Sequence, residues 1–85
     1  MAEFNNAVEA QKIISDLYKR MREINYNPDL KKMLKNLDYL LTELSKAEVV
    51  ARTNRTPGIA QRPKEELSKA IDYADNMLLL AKLCQ

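Results

Sequence analysis

Within residues 27–52, Leu30, Met33, Leu37, Leu40, Leu44, Ala47 and Ala51 recur at alternating spacings of three and four, and Leu34 and Leu41 widen the stripe. A stripe of that period lies along one side of an α-helix, so this stretch must fold as a helix with one face against a core. Its start is marked by Asn27, whose side-chain oxygen can accept from the free N–H groups of the first turn, and by Pro28, which forfeits no hydrogen bond at the first helical position. Asp29 adds a negative charge at the positive end of the helix dipole. The seam runs through Ala47 and Ala51 without a shift, which favours one continuous helix to about Thr53. Ser45 followed by Glu48 also reads as a capping box. A break there would make residues 47–53 a short separate helix, giving four helices instead of three.

Upstream, Asn6 followed by Glu9 resembles a capping box that opens a helix running to about Ile24. Ala7, Ala10, Ile14, Leu17, Met21 and Ile24 form its seam, flanked by Val8, Ile13 and Tyr18. Residues 1–5 read as frayed or as a loose helix start. Asn25, Tyr26, Asn27 and Pro28 close the helix, because the residue before proline is pushed out of helical geometry. A connection that short makes the first two helices antiparallel neighbours.

Downstream, residues 53–62 form a loop holding the one glycine, in a Pro57-Gly58 pair that favours a tight turn. Arg52, Arg55, Arg62 and Lys64 surround it, and no acid lies between Glu48 and Glu65. Ile59 is its only large apolar residue, placed to tuck back onto the bundle end. Pro63 opens a last helix with Glu65 and Glu66 in its first turn and a seam of Leu67, Ala70, Ile71, Ala74, Met77, Leu78 and Ala81. Leu79, Leu80, Leu83 and Cys84 then make its C-terminal half apolar nearly all round. A helix in a small bundle cannot bury every side, so this half predicts a surface that something else covers. The expected fold is all-α: a single antiparallel helical bundle over residues 1–85 with three long helices, and residues 47–53 as the optional fourth.

A domain of this size buries only about 60% of its unfolded surface, which leaves room for a partner to add burial. A net charge of +2 gives no general reason to expect nucleic acid. One cysteine excludes an intrachain disulfide framework and, with no signal peptide, points to the cytoplasm. No apolar run approaches the length of a bilayer span.

No catalytic, cofactor or metal site is expected. Histidine is absent, so the commonest general base and metal ligand is missing, and there is no glycine-rich phosphate loop. Cys84 lacks an activating partner, and Asp72 and Asp75 read as a solvated helix edge beside Lys69. Lys31, Lys32 and Lys35 read as a solvated face. Lys19, Arg20 and Arg22 would extend it into a patch for phosphates or anionic lipid, were Asp16, Glu23, Asp29 and Asp38 not interspersed. Two features point to binding: the basic loop, since loops on a rigid scaffold often carry recognition, and the over-apolar C-terminal half-helix. Tyr39, off the seam, is a smaller sign of an interface.

The stretch Ala10-Gln11-Lys12-Ile13-Ile14-Ser15-Asp16-Leu17-Tyr18, a short gap, and Asn27-Pro28-Asp29-Leu30 opening a leucine-rich helix resemble the small immunity proteins of class IIa (pediocin-like) bacteriocins, the enterocin A immunity type. The Thr56-Pro57-Gly58 turn and the Glu65-Glu66-Leu67 helix start are also similar. The likeness spreads over most of the chain as a helix pattern with a few matched residues and no signature motif. It implies a cytosolic antiparallel four-helix bundle, peripheral to the inner face of the membrane. Such a protein protects the cell by acting at a membrane sugar-permease receptor, the mannose phosphotransferase permease, when bacteriocin is bound to it. Specificity in that family is associated with the C-terminal half, which here is the loop 52–62 and the helix 65–83.

The expected partner-binding residues are therefore Arg52, Arg55, Ile59, Arg62 and Lys64 in the loop, with Leu79, Leu80 and Leu83 on the last helix. Arginine suits the role because its planar fork makes paired hydrogen bonds. Two departures stand out. The sequence stops at Gln85 in an apolar helix where the family continues into a tail, and the four-helix count needs the break near Ser45. The other expectation is a helical adaptor or secretion-type chaperone subunit that oligomerises through its C-terminal helix, as a homodimer or with another protein.

Overall fold

A computed structural model describes residues 2–24 and 27–84. The chain forms α1 (Ala7–Arg22), α2 (Pro28–Thr53), a 3-10 turn (Pro57–Ala60) and α3 (Gln61–Leu83), with no strand among the described residues. The fold is all-α with three helices, and α2 is unbroken through Ser45.

Continuity of α2 has a visible cause. The Glu48 carboxylate does not turn back to cap a new helix at Ser45. It reaches across to α1, where Oε2 accepts from the Ala7 backbone N–H at 2.8 Å. That donor is one of the four that a helix start leaves without an internal partner. Asn6 satisfies another, accepting from Glu9 N–H at 3.0 Å, and the Glu9 carboxylate accepts from Asn5 N–H at 3.3 Å. At the head of α2, Asn27 accepts from Asp29 N–H at 2.9 Å, as its sequence position predicts. Helix α1 stops at Arg22, two residues short of Ile24. Asn25 and Tyr26, read as part of the closing turn, and the terminal Met1 and Gln85 lie outside the described residues. Helix α3 starts at Gln61, ahead of Pro63, because the 3-10 turn feeds directly into it. Pro63 is tolerated there because the first turn has no internal N–H bond to lose.

Cross-helix contacts set the directions. Ala7 meets Glu48 and the Tyr18 hydroxyl donates to Asp38 Oδ2 at 2.6 Å, so α1 and α2 are antiparallel. Arg20 pairs with Asp75, and the Ser68 hydroxyl donates to the Ala2 carbonyl at 2.6 Å, so α3 runs parallel to α1. The result is an up-down-up bundle measuring 48 × 19 × 17 Å. Leu34, Leu37 and Leu44 of α2 pack with Ala10, Ile14 and Leu17 of α1 and with Leu67, Ile71, Ala74 and Leu78 of α3. Met33, Leu40 and Ala47, on one edge of the α2 stripe, stay half-buried. Among the described residues no buried side-chain nitrogen or oxygen lacks a hydrogen-bond partner. Burial, the hydrogen bond to Asp38 and the charge of that carboxylate together push the Tyr18 hydroxyl up to about 12.

The first residues correct the expectation of a frayed start. Residues 2–4 have no regular structure, yet Phe4 is only 6% exposed and belongs to the core. The open end of a three-helix bundle needs a cover, and one aromatic ring placed there by the Ala2–Ser68 hydrogen bond supplies it. Replacing Phe4 with Ala is expected to cost about 3 kcal/mol in urea unfolding, the usual range for losing a buried aromatic. A change below about 0.5 kcal/mol, typical of a surface site, would mean that the segment is not docked.

Candidate partner-binding surfaces

The loop after α2 is built on a left-handed residue, and that residue is not the glycine. Arg55 has φ 53°, whereas Gly58 lies inside the 3-10 turn without positive φ. The hydrogen bonds explain the arrangement. Arg55 N–H donates to the Arg52 carbonyl at 3.3 Å and Thr56 N–H to the Ala51 carbonyl at 2.9 Å. This pair closes a helix end by the Schellman pattern, which calls for a left-handed residue one position past the cap. The Pro57-Gly58 pair does form the tight turn its sequence predicts, with Ile59 N–H donating to the Thr56 carbonyl at 3.1 Å, and the left-handed residue is a separate feature three positions earlier. Arg55 carries a backbone cost that a glycine would not.

The four cations around this loop do not form one patch. Arg52 and Lys64 line a recess of about 300 Å³ at the bundle end, together with Asn5, Asn6, Glu48 and Gln61. Arg62 points to the opposite side, where its Nε donates to Glu66 Oε1 at 3.1 Å. It borders a shallow groove between α2 and α3 with Tyr39, Leu40 and Glu43. Arg55 projects from the tip. Ile59 is 40% exposed and does not tuck back onto the bundle, because Phe4 already covers that end.

The C-terminal leucines divide in the same way. Leu79 sits in a recess between α1 and α3 with Ile24 and Leu78, beside the Arg20–Asp75 pair. Leu80 and Leu83 are 53% and 81% exposed, on the side of α3 that also presents the exposed Tyr73. Arg62 and Leu80 are 18 positions apart on one helix, about 27 Å at 1.5 Å per residue. The structure thus separates the loop residues and the leucines to opposite ends of the bundle.

One feature escapes a residue-by-residue reading. Met33 and Leu37 of α2 and Ala70 and Met77 of α3 floor a groove of about 480 Å³, walled by Tyr73. Met33 and Met77 belong to their helix seams by period. Two helices meeting at a bundle edge leave that side of each seam open, and methionine adapts to such a surface. The exposed Tyr39, off the seam as its position predicts, lines the continuation of the groove.

Among the described residues no group of three or more His, Cys, Asp or Glu side chains is arranged to hold a metal ion, and no helix is long and apolar enough to cross a membrane. Cys84 is exposed, and Asp75 is engaged by Arg20.

Relief of the left-handed strain gives a direct check on the loop. Arg55→Gly is expected to raise the unfolding free energy by about 0.5–1 kcal/mol, with the greater chain entropy of glycine offsetting part of the gain. A loss of stability would mean that the Arg55 side chain, and not its backbone, holds the loop. No protein-family model, curated protein or solved structure matches the chain.

Proposed function

We propose that this chain is a non-enzymatic protein-binding module, and that its task is immunity to a pediocin-like bacteriocin. It would bind the receptor–bacteriocin complex from the cytoplasmic side of the membrane. The observation that carries the reading is the surface of the C-terminal half. Arg55, Ile59 and Arg62 in the loop and first turn at one end of α3, and Leu80 and Leu83 near its other end, are exposed. These lie in the half of the chain to which the family resemblance assigns specificity. A separation of about 27 Å along one helix suits an extended contact with a large partner better than a pocket for a small molecule. The reading rests on residue pattern and on this surface, not on helix count, since residues 47–53 continue α2.

Expression in a bacterium sensitive to pediocin-like peptides is expected to protect against one or a few members of a panel. Protection should be lost in the Arg55→Ala/Arg62→Ala double variant. Absence of protection across the panel, from folded protein, ends the immunity reading.

A second reading has its own support. Leu80 and Leu83 lie on the side of α3 that borders the Met33–Met77 groove, which suits an adaptor or secretion-type chaperone subunit that pairs through its C-terminal helix. That reading expects a dimer at micromolar concentration in sedimentation, and a monomer of unchanged helicity after Leu80→Glu. A wild-type monomer, or a dimer that survives the substitution, counts against it.

A further inference from the structure

The outward side of α2 carries a charge pattern that no sequence window displays. Four carboxylates and four lysines are interspersed along this helix, which reads as a balanced, solvated surface. The fold sorts them. Asp38 is turned toward α1 by Tyr18, and Glu48 is drawn to the α1 start by Ala7 N–H. Asp29 and Glu43 both line the groove against α3. Asp38 and Glu48 are thus committed to the α1 side, while Asp29 and Glu43 border α3 together with Lys32 and Tyr39.

What remains between these flanks is mainly positive, with Glu43 at its edge. Lys31, Lys35, Tyr39, Thr42, Lys46 and Val49 recur at spacings of three and four, all exposed, with Lys32 and Val50 beside them. Lys46 lies 3.7 Å from Glu43, an exposed pair of the kind that contributes little. Arg20 of α1 does not add to this face, because Asp75 holds it on the α3 side. Tyr39 is 61% exposed, Val49 52% and Val50 42%, so apolar side chains stand among the lysines with nothing over them. Lys31 and Val49 are 18 positions apart, about 27 Å of helix.

We infer that this face of α2 lies flat on an anionic phospholipid surface. The chemistry of the two residue classes fits that occupant. Lysines beside an anionic leaflet each strengthen partitioning roughly fivefold, and tyrosine and valine can enter the headgroup region that a polyanion in water does not offer. A nucleic acid would use the charge but leave Val49 and Val50 uncovered. The inference stands apart from the immunity reading, because lipid vesicles carry neither receptor nor bacteriocin.

The test is sedimentation of the full chain at low salt with vesicles of mixed phosphatidylglycerol and phosphatidylcholine, and with phosphatidylcholine alone. Binding is expected only to the anionic vesicles, with release as salt rises. Lys31→Gln/Lys35→Gln is expected to weaken binding roughly twenty-five-fold, the product of two fivefold losses, with the helical circular dichroism signal intact. Lys12→Gln/Lys19→Gln on α1, which removes the same charge from another face, should bind as wild type. Equal binding to both vesicle types, no binding to either, or equal losses in the two double variants would overturn the inference. So would tighter binding to a DNA duplex than to anionic vesicles at the same salt.

Discussion

A helix has one circumference to share, and the structure depends on how α2 divides its own. Its apolar stripe is wide enough to face two neighbours at once. One edge of the stripe packs on α1 and the other on α3, and the bundle needs no fourth helix to close its centre. Cost appears at the edges. With only three helices the α2–α3 side is left shallow, so Met33, Leu40 and Met77 remain half-covered, and Leu80 and Leu83 beyond them have no cover among the described residues. The exposed apolar surface follows from the same geometry that makes the core efficient.

Polar groups are placed to serve this arrangement. Three cross-chain contacts, Glu48 to Ala7, Tyr18 to Asp38 and Arg20 to Asp75, tie α1 to both partners. Each takes an acid that would otherwise face water and commits it to a helix boundary. The exposed pairs within one helix, such as Arg62 with Glu66, are worth a few tenths of a kcal/mol at most. The cross-helix ties fix the rotation of each helix, and rotation decides which side chains meet solvent.

Much of the fold was legible in the sequence because helical period is a strong local signal. The α2 start at Asn27-Pro28 and the buried seams of all three helices follow from spacing and capping chemistry alone. What was hidden has a common cause: it depends on partners far along the chain. Phe4 sits outside any periodic run, so nothing local marks it as core. Glu48 satisfies a local capping rule and is used for a distant helix instead. Arg55 is the exception: its residue type does not mark it as left-handed, because that conformation is set by how α2 ends, through the Thr56–Ala51 hydrogen bond. The candidate surfaces were legible as two groups of residues, but not that Arg62 turns away from Arg52 and Lys64 within the first, which depends on how α3 sits against α2. Sorting of charge around α2 was out of reach for the same reason, because it needs the positions of α1 and α3.

The Glu48 cap also carries a kinetic consequence. Its acceptor is 41 residues from the amide it satisfies, and the Ser68 hydroxyl that anchors Ala2 is 66 residues away. The first turn of α1 therefore lacks a full set of hydrogen bonds until the far end of α2 has folded back beside it. Phe4 in turn has no floor to rest on until α3 has arrived. Closing such long loops carries an entropic penalty that local helix formation does not. Docking of the N-terminal segment therefore depends on contacts that only long loop closure can supply.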